Sequence, residues 1–485
     1  MVNFLNRWTA AACLAVAGLG ASMVMAQTPA GQGVVPSTST TTAPAVVVPP
    51  PPPPLAKFKT PLPPQWPVDQ TIPGPFGVQL KDGNMSTDDV ERVHQLGLKW
   101  VRRGFTWRAV EKEKGVYDFT KYERLVADCR DRGMSVIATL GLGNPLYKDA
   151  KGKEVHVKDE PAHSAYVNYC VAAVKKFKGQ PVIFELWNEP NVKFWGNYDK
   201  SNGPVYAADY TKLVKDATAA MKAANPECIV LGGSVSNVWT MSYEWIDYVT
   251  KDGMIDSGID SLSLHPYGVK NPEDYLVAYD TVRKLISPSA KGKEIPFTNS
   301  ERGFPLGKGV EGFAGGEETK QSEFQAWHLV RQYMIDQLCG VKITSWYEWS
   351  GNEGFSLVKG DLKAPAYDAC KVMLTQLDGY KLDKRLETAV PTDFVLQFTN
   401  AKTGGVKLVA WCRPPIGEPR DPKAKIKLPP ITPDMAPVHE IEIPVTGSAA
   451  TMKTADIYGK AGSADVKDGK VAVTISGSPV YVTVK

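Results

Sequence analysis

The chain is short of cysteine, of net charge and of long apolar runs, and each shortage excludes a class of protein. Seven Cys in 485 residues are too few for a disulfide scaffold. Their spacing contains no C-x-x-C and no Cys/His cluster, so no metal site is expected. With 56 basic and 52 acidic residues the net charge is +4, which gives no electrostatic case for nucleic acid or an anionic membrane as partner. Past the first 26 residues no run reaches the roughly 20 apolar residues of a spanning helix. A Gly-rich nucleotide loop, a Ser nucleophile elbow and a metal motif are all missing, so no cofactor is expected. What is present is ordinary for a sizeable core: 43% apolar and 22% charged residues. Twelve Trp and nineteen Tyr add flat stacking surfaces. The length suits two or three domains.

Residues 1–26 read as a cleavable export signal. Arg7 supplies the charged start, Ala10 to Leu19 the apolar stretch, and Val24-Met25-Ala26 a small-residue cleavage site. Gly18, Gly20 and Ser22 break the run, which argues against a membrane anchor. Cys13 lacks the upstream apolar residues of a lipoprotein signal. A secreted or periplasmic protein is expected. Residues 27–66 differ in kind: thirteen of the 38 prolines lie between Thr28 and Pro67, and Ser37–Thr42 is an unbroken Ser/Thr run. Such a stretch builds no ladder and no core, so it predicts an extended tether.

From Phe76 onward short apolar runs alternate with amphipathic stretches. The runs are Phe76–Leu80, Lys99–Phe105, Ser135–Leu142, Val182–Trp187, Ile229–Val235, Ser261–His265, Pro296–Ser300 and Lys342–Trp346. Helical signals separate them, such as Ser86 or Thr87 capping a stretch that ends at Gly97. Eight strand–helix units predict an α/β fold, a closed (β/α)8 barrel over 67–383. An open doubly wound sheet would carry a Gly-rich turn after its first strand, and Leu80-Lys81-Asp82-Gly83-Asn84 is not one. After Leu382 the period becomes two, as in Phe394, Leu396 and Phe398, and Asp468-Gly469 signals a hairpin. Residues 384–485 are therefore expected to form an antiparallel β-sandwich, with Trp411, Tyr458 and Tyr481 as its few exposed aromatics.

Reacting groups in such a barrel lie at the C-terminal ends of strands. Two apolar strands end in carboxylates: Phe184-Glu185-Leu186-Trp187-Asn188-Glu189-Pro190, and Phe297-Thr298-Asn299-Ser300-Glu301. Two carboxyl groups across one pocket, one protonated and one ionised, are the equipment for cleaving a glycosidic bond. A lone Glu among 52 acidic residues is more often a cap or an ion-pair partner.

Trp187-Asn188-Glu189-Pro190 together with Glu301 resembles clan A of the retaining glycoside hydrolases. The resemblance covers roughly 70–383. It extends to Trp100-Val101-Arg102 with Trp107, Glu111, Gly115 and Tyr117-Asp118, to His265-Pro266-Tyr267, and to Trp346-Tyr347-Glu348-Trp349. Barrel plus sandwich looks most like family 39 and bacterial exopolysaccharide-cleaving relatives, with family 5 the nearest competitor. The resemblance implies that Glu189 is the acid/base and Glu301 the nucleophile, and that Asn188 hydrogen-bonds the sugar 2-hydroxyl. Arg102, in phase with Trp100, would hold Glu301 ionised; Arg103 is its rival if the phase is off by one. Tyr267 would donate to Glu301, and His265 would line the same subsite unless it is only a satisfied core histidine. Trp346 would stack under the sugar, or simply fill space. Trp107, Trp187, Trp195 and Trp239 are candidates for further subsites, and Asn144 for the cleft rim. Glu348 and Glu353 are the first suspects if the assignment of Glu301 fails. Cys129 and Cys170 fall on consecutive helices, as do Cys339 and Cys370, with no pairing implied. The expected partner is a polysaccharide or oligosaccharide, the expected state a monomer, and the activity hydrolysis, with transglycosylation or bare glycan binding as alternatives.

Overall fold

The computed structural model describes residues 66–485 except 193, 196–202, 270, 307–319, 352–353, 415–436 and 447–448. The signal, nearly all of the tether and Glu353 lie outside the described residues. Among those described, no helix is long and apolar enough to cross a membrane.

Eight parallel strands close into a barrel in chain order. They are β1 (Phe76–Gln79), β2 (Trp100–Thr106), β3 (Ser135–Gly141), β4 (Val182–Leu186), β5 (Val230–Ser236), β6 (Ser261–His265), β7 (Phe297–Arg302) and β8 (Ile343–Trp346). Helices α1 (Thr87–Leu96), α2 (Thr120–Arg130), α3 (Ala162–Lys176), α4 (Gly203–Ala224), α5 (Thr240–Lys251), α6 (Tyr275–Ala290), α7 (Lys320–Leu338) and α8 (Pro365–Gln376) follow them in turn. The first helix shows why the boundaries were readable. Ser86 caps it and forms a reciprocal box with Asp89, and Gly97 ends it at φ 109°, a conformation that disfavours a Cβ.

The strand period of two sorts the barrel interior into layers. Trp100, Ile137, Ile183, Leu231 and Ile343 form an apolar cluster near the strand starts. One step up, at i+2, the lining turns polar: Arg102, Thr139, Glu185, Ser263 and Ser300 are all buried. That switch places the chemistry at the C-terminal half of the strands.

The C-terminal region is an eight-stranded antiparallel sheet that curls on itself as a sandwich. Its strands are β9 (Lys381–Arg385), β10 (Asp393–Asn400), β11 (Gly405–Cys412), β12 (His439–Pro444), β13 (Thr451–Ala455), β14 (Ala461–Lys467), β15 (Lys470–Ile475) and β16 (Val480–Thr483). Phe394, Leu396, Phe398, Val409 and Trp411 join the barrel's own hydrophobic cluster, while Val395, Leu408 and Ala410 face the sandwich interior. Two of the three aromatics expected on its surface are therefore buried. Trp411 and Tyr481 are 0% and 1% exposed, and Tyr458 alone of the three reaches solvent. Trp411 Nε1 donates to Glu273 Oε1 at 2.7 Å, which ties the sandwich to the barrel.

Candidate active site

The two carboxylates at the barrel mouth arrive by different backbone devices. Beyond β4 the chain leaves the ladder with Trp187 at φ 65° and Glu189 at φ 49°. Both are uncommon for residues with a Cβ and persist only where surroundings hold them. The Glu189 N–H donates to the Ser234 carbonyl at 3.0 Å, so β5 supplies that hold. On β7 the device is a bulge. Asn299 pairs with Thr344 and Arg302 with Trp346, which leaves one extra residue on β7. As a result Ser300 and Glu301, adjacent in sequence, both reach the interior network, while Asn299 and Arg302 bond outward to Asp336 and Tyr275.

One carboxylate oxygen of Glu189, one of Glu301 and a ring nitrogen of His265 lie within 4.8 Å of one another. The two Glu side chains keep 12% and 13% exposure, enough to touch a ligand from above. Beneath them lies Arg102. Its Nη1 contacts Glu301 Oε2 at 2.5 Å and Gln79 Oε1 at 2.6 Å; its Nη2 contacts Glu185 Oε2 at 2.7 Å and Asn188 Oδ1 at 2.8 Å. Glu185 also accepts from Thr139, Ser263 and Ser300. Burial opposes charge on both, but mutual attraction wins: Arg102 is raised further and Glu185 falls well below the carboxylate range. Arg103, the rival, turns away to Asp82 and the Leu80 carbonyl.

His265 is fully buried, with Nδ1 3.1 Å from Glu189 Oε1 and Nε2 2.9 Å from Ser300 Oγ. Burial alone would lower its pKa. The charge of Glu301 and the bonds to Glu185 and Glu189 outweigh burial and raise it to about 9. The imidazole is therefore biased toward its protonated, donating form. Glu189 responds in the opposite sense. Burial pushes its carboxyl up, yet the bond and charge of His265 hold it below the ordinary value. Without ligand, His265 thus biases the Glu189 carboxyl toward its ionised form. Tyr267 is half-buried and donates to Glu301 Oε1 at 3.3 Å.

Three expected contacts lie elsewhere. Trp346 is 0% exposed, with Nε1 on the Phe355 carbonyl at 3.0 Å and its ring beside His328 of α7. It shares the outward phase of Thr344, which bonds Asp336, so its ring lies in the helical layer and not under a sugar. The half-buried aromatic that follows is Tyr347, whose ring lies 4.5 Å from Lys81 Nζ. Trp107 is also completely enclosed, stacked on Tyr147 and bonded to Glu111. Asn144 is 2% exposed and holds the Glu111 carbonyl and the Leu146 N–H. The Trp107–Glu111–Gly115 phrase is thus a scaffold: Glu111 also accepts from the Gly115 N–H and Tyr147. Trp187 and Trp195 pack on each other, and Trp239 alone of the candidate subsite tryptophans stands 44% exposed. Glu348 is buried and paired with Lys81 at 2.7 Å. All six described cysteines are free.

Sequence reasoning missed Glu185, Gln79, Ser263 and Ser300. Glu185 had a signal: a charge inside an apolar strand, two residues from inward Ile183. The serines carried none. The trio Glu189, His265 and Glu301 has metal-like spacing, but Arg102 and protonated His265 already supply the positive charge a cation would bring.

A closed eight-stranded parallel barrel with paired glutamates over its C-terminal mouth defines a clan A TIM-barrel glycoside hydrolase. The chain belongs to the family described as Cellulase (glycosyl hydrolase family 5), whose model matches residues 69–347. It is the competitor named from the motifs, while solved structures include the family ranked first. A family 39 glycoside hydrolase from the gut symbiont Bacteroides cellulosilyticus WH2 superimposes with TM-score 0.66 at 21% identity, over 84% of this chain and 80% of that one. A monomeric beta-xylosidase from Caulobacter crescentus CB15 gives 0.56 at 17%, over 84% and 94%. A GH30 endoxylanase from Clostridium papyrosolvens C71 gives 0.56 at 14%, over 85% and 96%. No curated protein matches the chain.

Proposed function

We propose that the protein is an exported retaining glycosidase that cleaves O-glycosidic bonds of a polysaccharide or oligosaccharide by double displacement. The observation that carries this reading is the 4.8 Å limit on the separation of carboxylate oxygens of Glu189 and Glu301. Retaining enzymes hold the pair about 5–5.5 Å apart, whereas inverting ones leave roughly 6.5–9.5 Å for a water. Glu301, pinned by Arg102 and Tyr267, attacks the anomeric carbon as a carboxylate. Glu189 protonates the departing oxygen. The ester on Glu301 is then cleaved by water that Glu189 deprotonates, and configuration is retained.

His265 supplies the proton relay. A sugar over Glu189 strips water from the carboxylate, which raises its affinity for the proton shared with His265 Nδ1. Ester formation removes the charge of Glu301 and with it part of what holds the imidazolium. Asn188 commits its amide oxygen to Arg102, which turns its Nδ2 donor toward a 2-hydroxyl.

Glu301→Ala is expected to lower kcat on an activated aryl glycoside at least about 10³-fold. Azide should partly restore turnover and give a glycosyl azide of inverted configuration. Full activity in Glu301→Ala would remove the nucleophile from the scheme. The substrate panel begins with cello- and xylo-configured glycans, because the family and two of the structural neighbours act on these by name, and continues to bacterial exopolysaccharides.

A further inference from the structure

A second group of ligating side chains lies in the sandwich, far along the sequence from the paired glutamates. Asp393 opens β10 and Cys412 closes β11, and the two are direct cross-strand partners, so their side chains share one face. His439 opens β12, opposite Ile475 of β15. The Cys412 N–H donates to the carbonyl of Ser476 at 2.7 Å, and this link draws the end of β11 to the end of β15 and so to His439. One donor atom from each of the three residues lies within 4.8 Å of the other two, with His439 Nε2 3.0 Å from Asp393 Oδ2.

One observation points to a missing ligand. Asp393 is 1% exposed, yet its Oδ1 has no hydrogen-bond partner among the described residues. A buried carboxylate oxygen left so is costly unless something cationic or a donor meets it. Among the described residues, the neighbouring cations bond groups other than this oxygen. Arg413 reaches Asp274 at 2.7 Å, and the Arg385 guanidinium lies over the Phe394 ring and bonds backbone carbonyls. The Cys412 sulfur, 1% exposed as a residue, sits against the Asp393 carboxylate and, at 3.4 Å, the carbonyl of Arg413.

We propose that Asp393, Cys412 and His439 form a site for a thiophilic divalent cation of the zinc class. A thiolate, an imidazole and a carboxylate suit zinc and exclude calcium and magnesium, which take oxygen ligands. Thiolate and carboxylate together cancel the two positive charges, so the buried complex is neutral. Three protein ligands leave one tetrahedral position for water. The role is structural. The cation clips the point where the chain leaves the sheet after Cys412 to the point where it returns at His439, and both to β10. The spacing of 26 residues between Cys412 and His439 is why no motif announced it.

The test uses the full chain without a polyhistidine tag, stripped with chelator and titrated with Co²⁺ alone. The expected result is one equivalent bound, with a thiolate-to-cobalt charge-transfer band in the near ultraviolet and tetrahedral d–d bands, both erased by Zn²⁺. Cys412→Ser should lose the charge-transfer band. His439→Gln changes a side chain one-third exposed, and it should weaken Co²⁺ binding at least about tenfold. Aryl glycoside hydrolysis by either variant is expected to match the parent. A parent chain without the band, a band that survives in Cys412→Ser, or unchanged affinity in His439→Gln would each overturn the site. None of these readouts depends on the glycosidase assignment.

Discussion

His265 joins the two halves of the candidate site, because it touches Glu189 and answers to the charge of Glu301. Its pKa is raised in the folded chain to about 9, against 6.5 for a free imidazole. Below 6.5 both folded and unfolded chains carry the proton. Between 6.5 and about 9 only the folded chain does, and above that the proton and its stabilisation are lost. The profile of kcat/KM against pH should therefore fall on its alkaline side near 9. His265→Gln cannot titrate, so that limb should vanish while activity at pH 7 drops. An unchanged alkaline limb in the variant would assign the proton to another group. At this scale the sequence was legible where a charge interrupts an apolar run, as at Arg102 and Glu189. It left two readings open where a strand end can face the mouth or the helices. Trp346 read as a sugar platform or a space filler, and the outward phase it shares with Thr344 buries it among the helices, with half-buried Tyr347 following it.

Elements are bound to one another by polar contacts that sequence does not advertise. A 3-10 turn over Pro272–Asp274 precedes α6, and its Glu273 pairs with Arg331 of α7 through two contacts of 2.7 and 2.6 Å, with both side chains all but fully buried. Burial would raise the Glu273 pKa, but Arg331 outweighs it and the value is lowered. A depressed carboxyl contributes stability above its unfolded pKa and loses it as pH falls, so this joint weakens in acid. Glu273→Ala leaves the Arg331 charge without its carboxylate and the Trp411 N–H without its acceptor. It should cost about 3–5 kcal/mol in equilibrium denaturation. A cost near that of a surface substitution would mean that Glu273 does not hold α7 and Trp411 of the sandwich in place. The helix boundaries, by contrast, were largely readable, because caps such as Ser86–Asp89 and stops such as Gly97 act within a few residues of chain.

On the scale of the whole molecule, the barrel and the sandwich share one hydrophobic cluster through Phe394, Leu396, Phe398, Val409 and Trp411. The sandwich is on this reading a structural companion and not a detachable glycan-binding module. Removing 384–485 should lower the melting temperature of the remaining barrel by many degrees, since it uncovers that apolar face to water. A truncated barrel that melts with the parent would make the sandwich an independent module.

The sequence alone determined the eight strand–helix units, the change of period after Leu382 and the two strands that end in Glu189 and Glu301. Those are local facts, carried by periodicity, capping and short-range chemistry. Only the tertiary structure decided that Glu185 and two serines underlie Arg102, that His265 bonds Glu189 and holds its carboxyl down, and that Asp393, Cys412 and His439 converge. Each of these depends on distances between strands far apart in the chain, and burial and Coulomb attraction act on distance in space, whatever the separation in sequence.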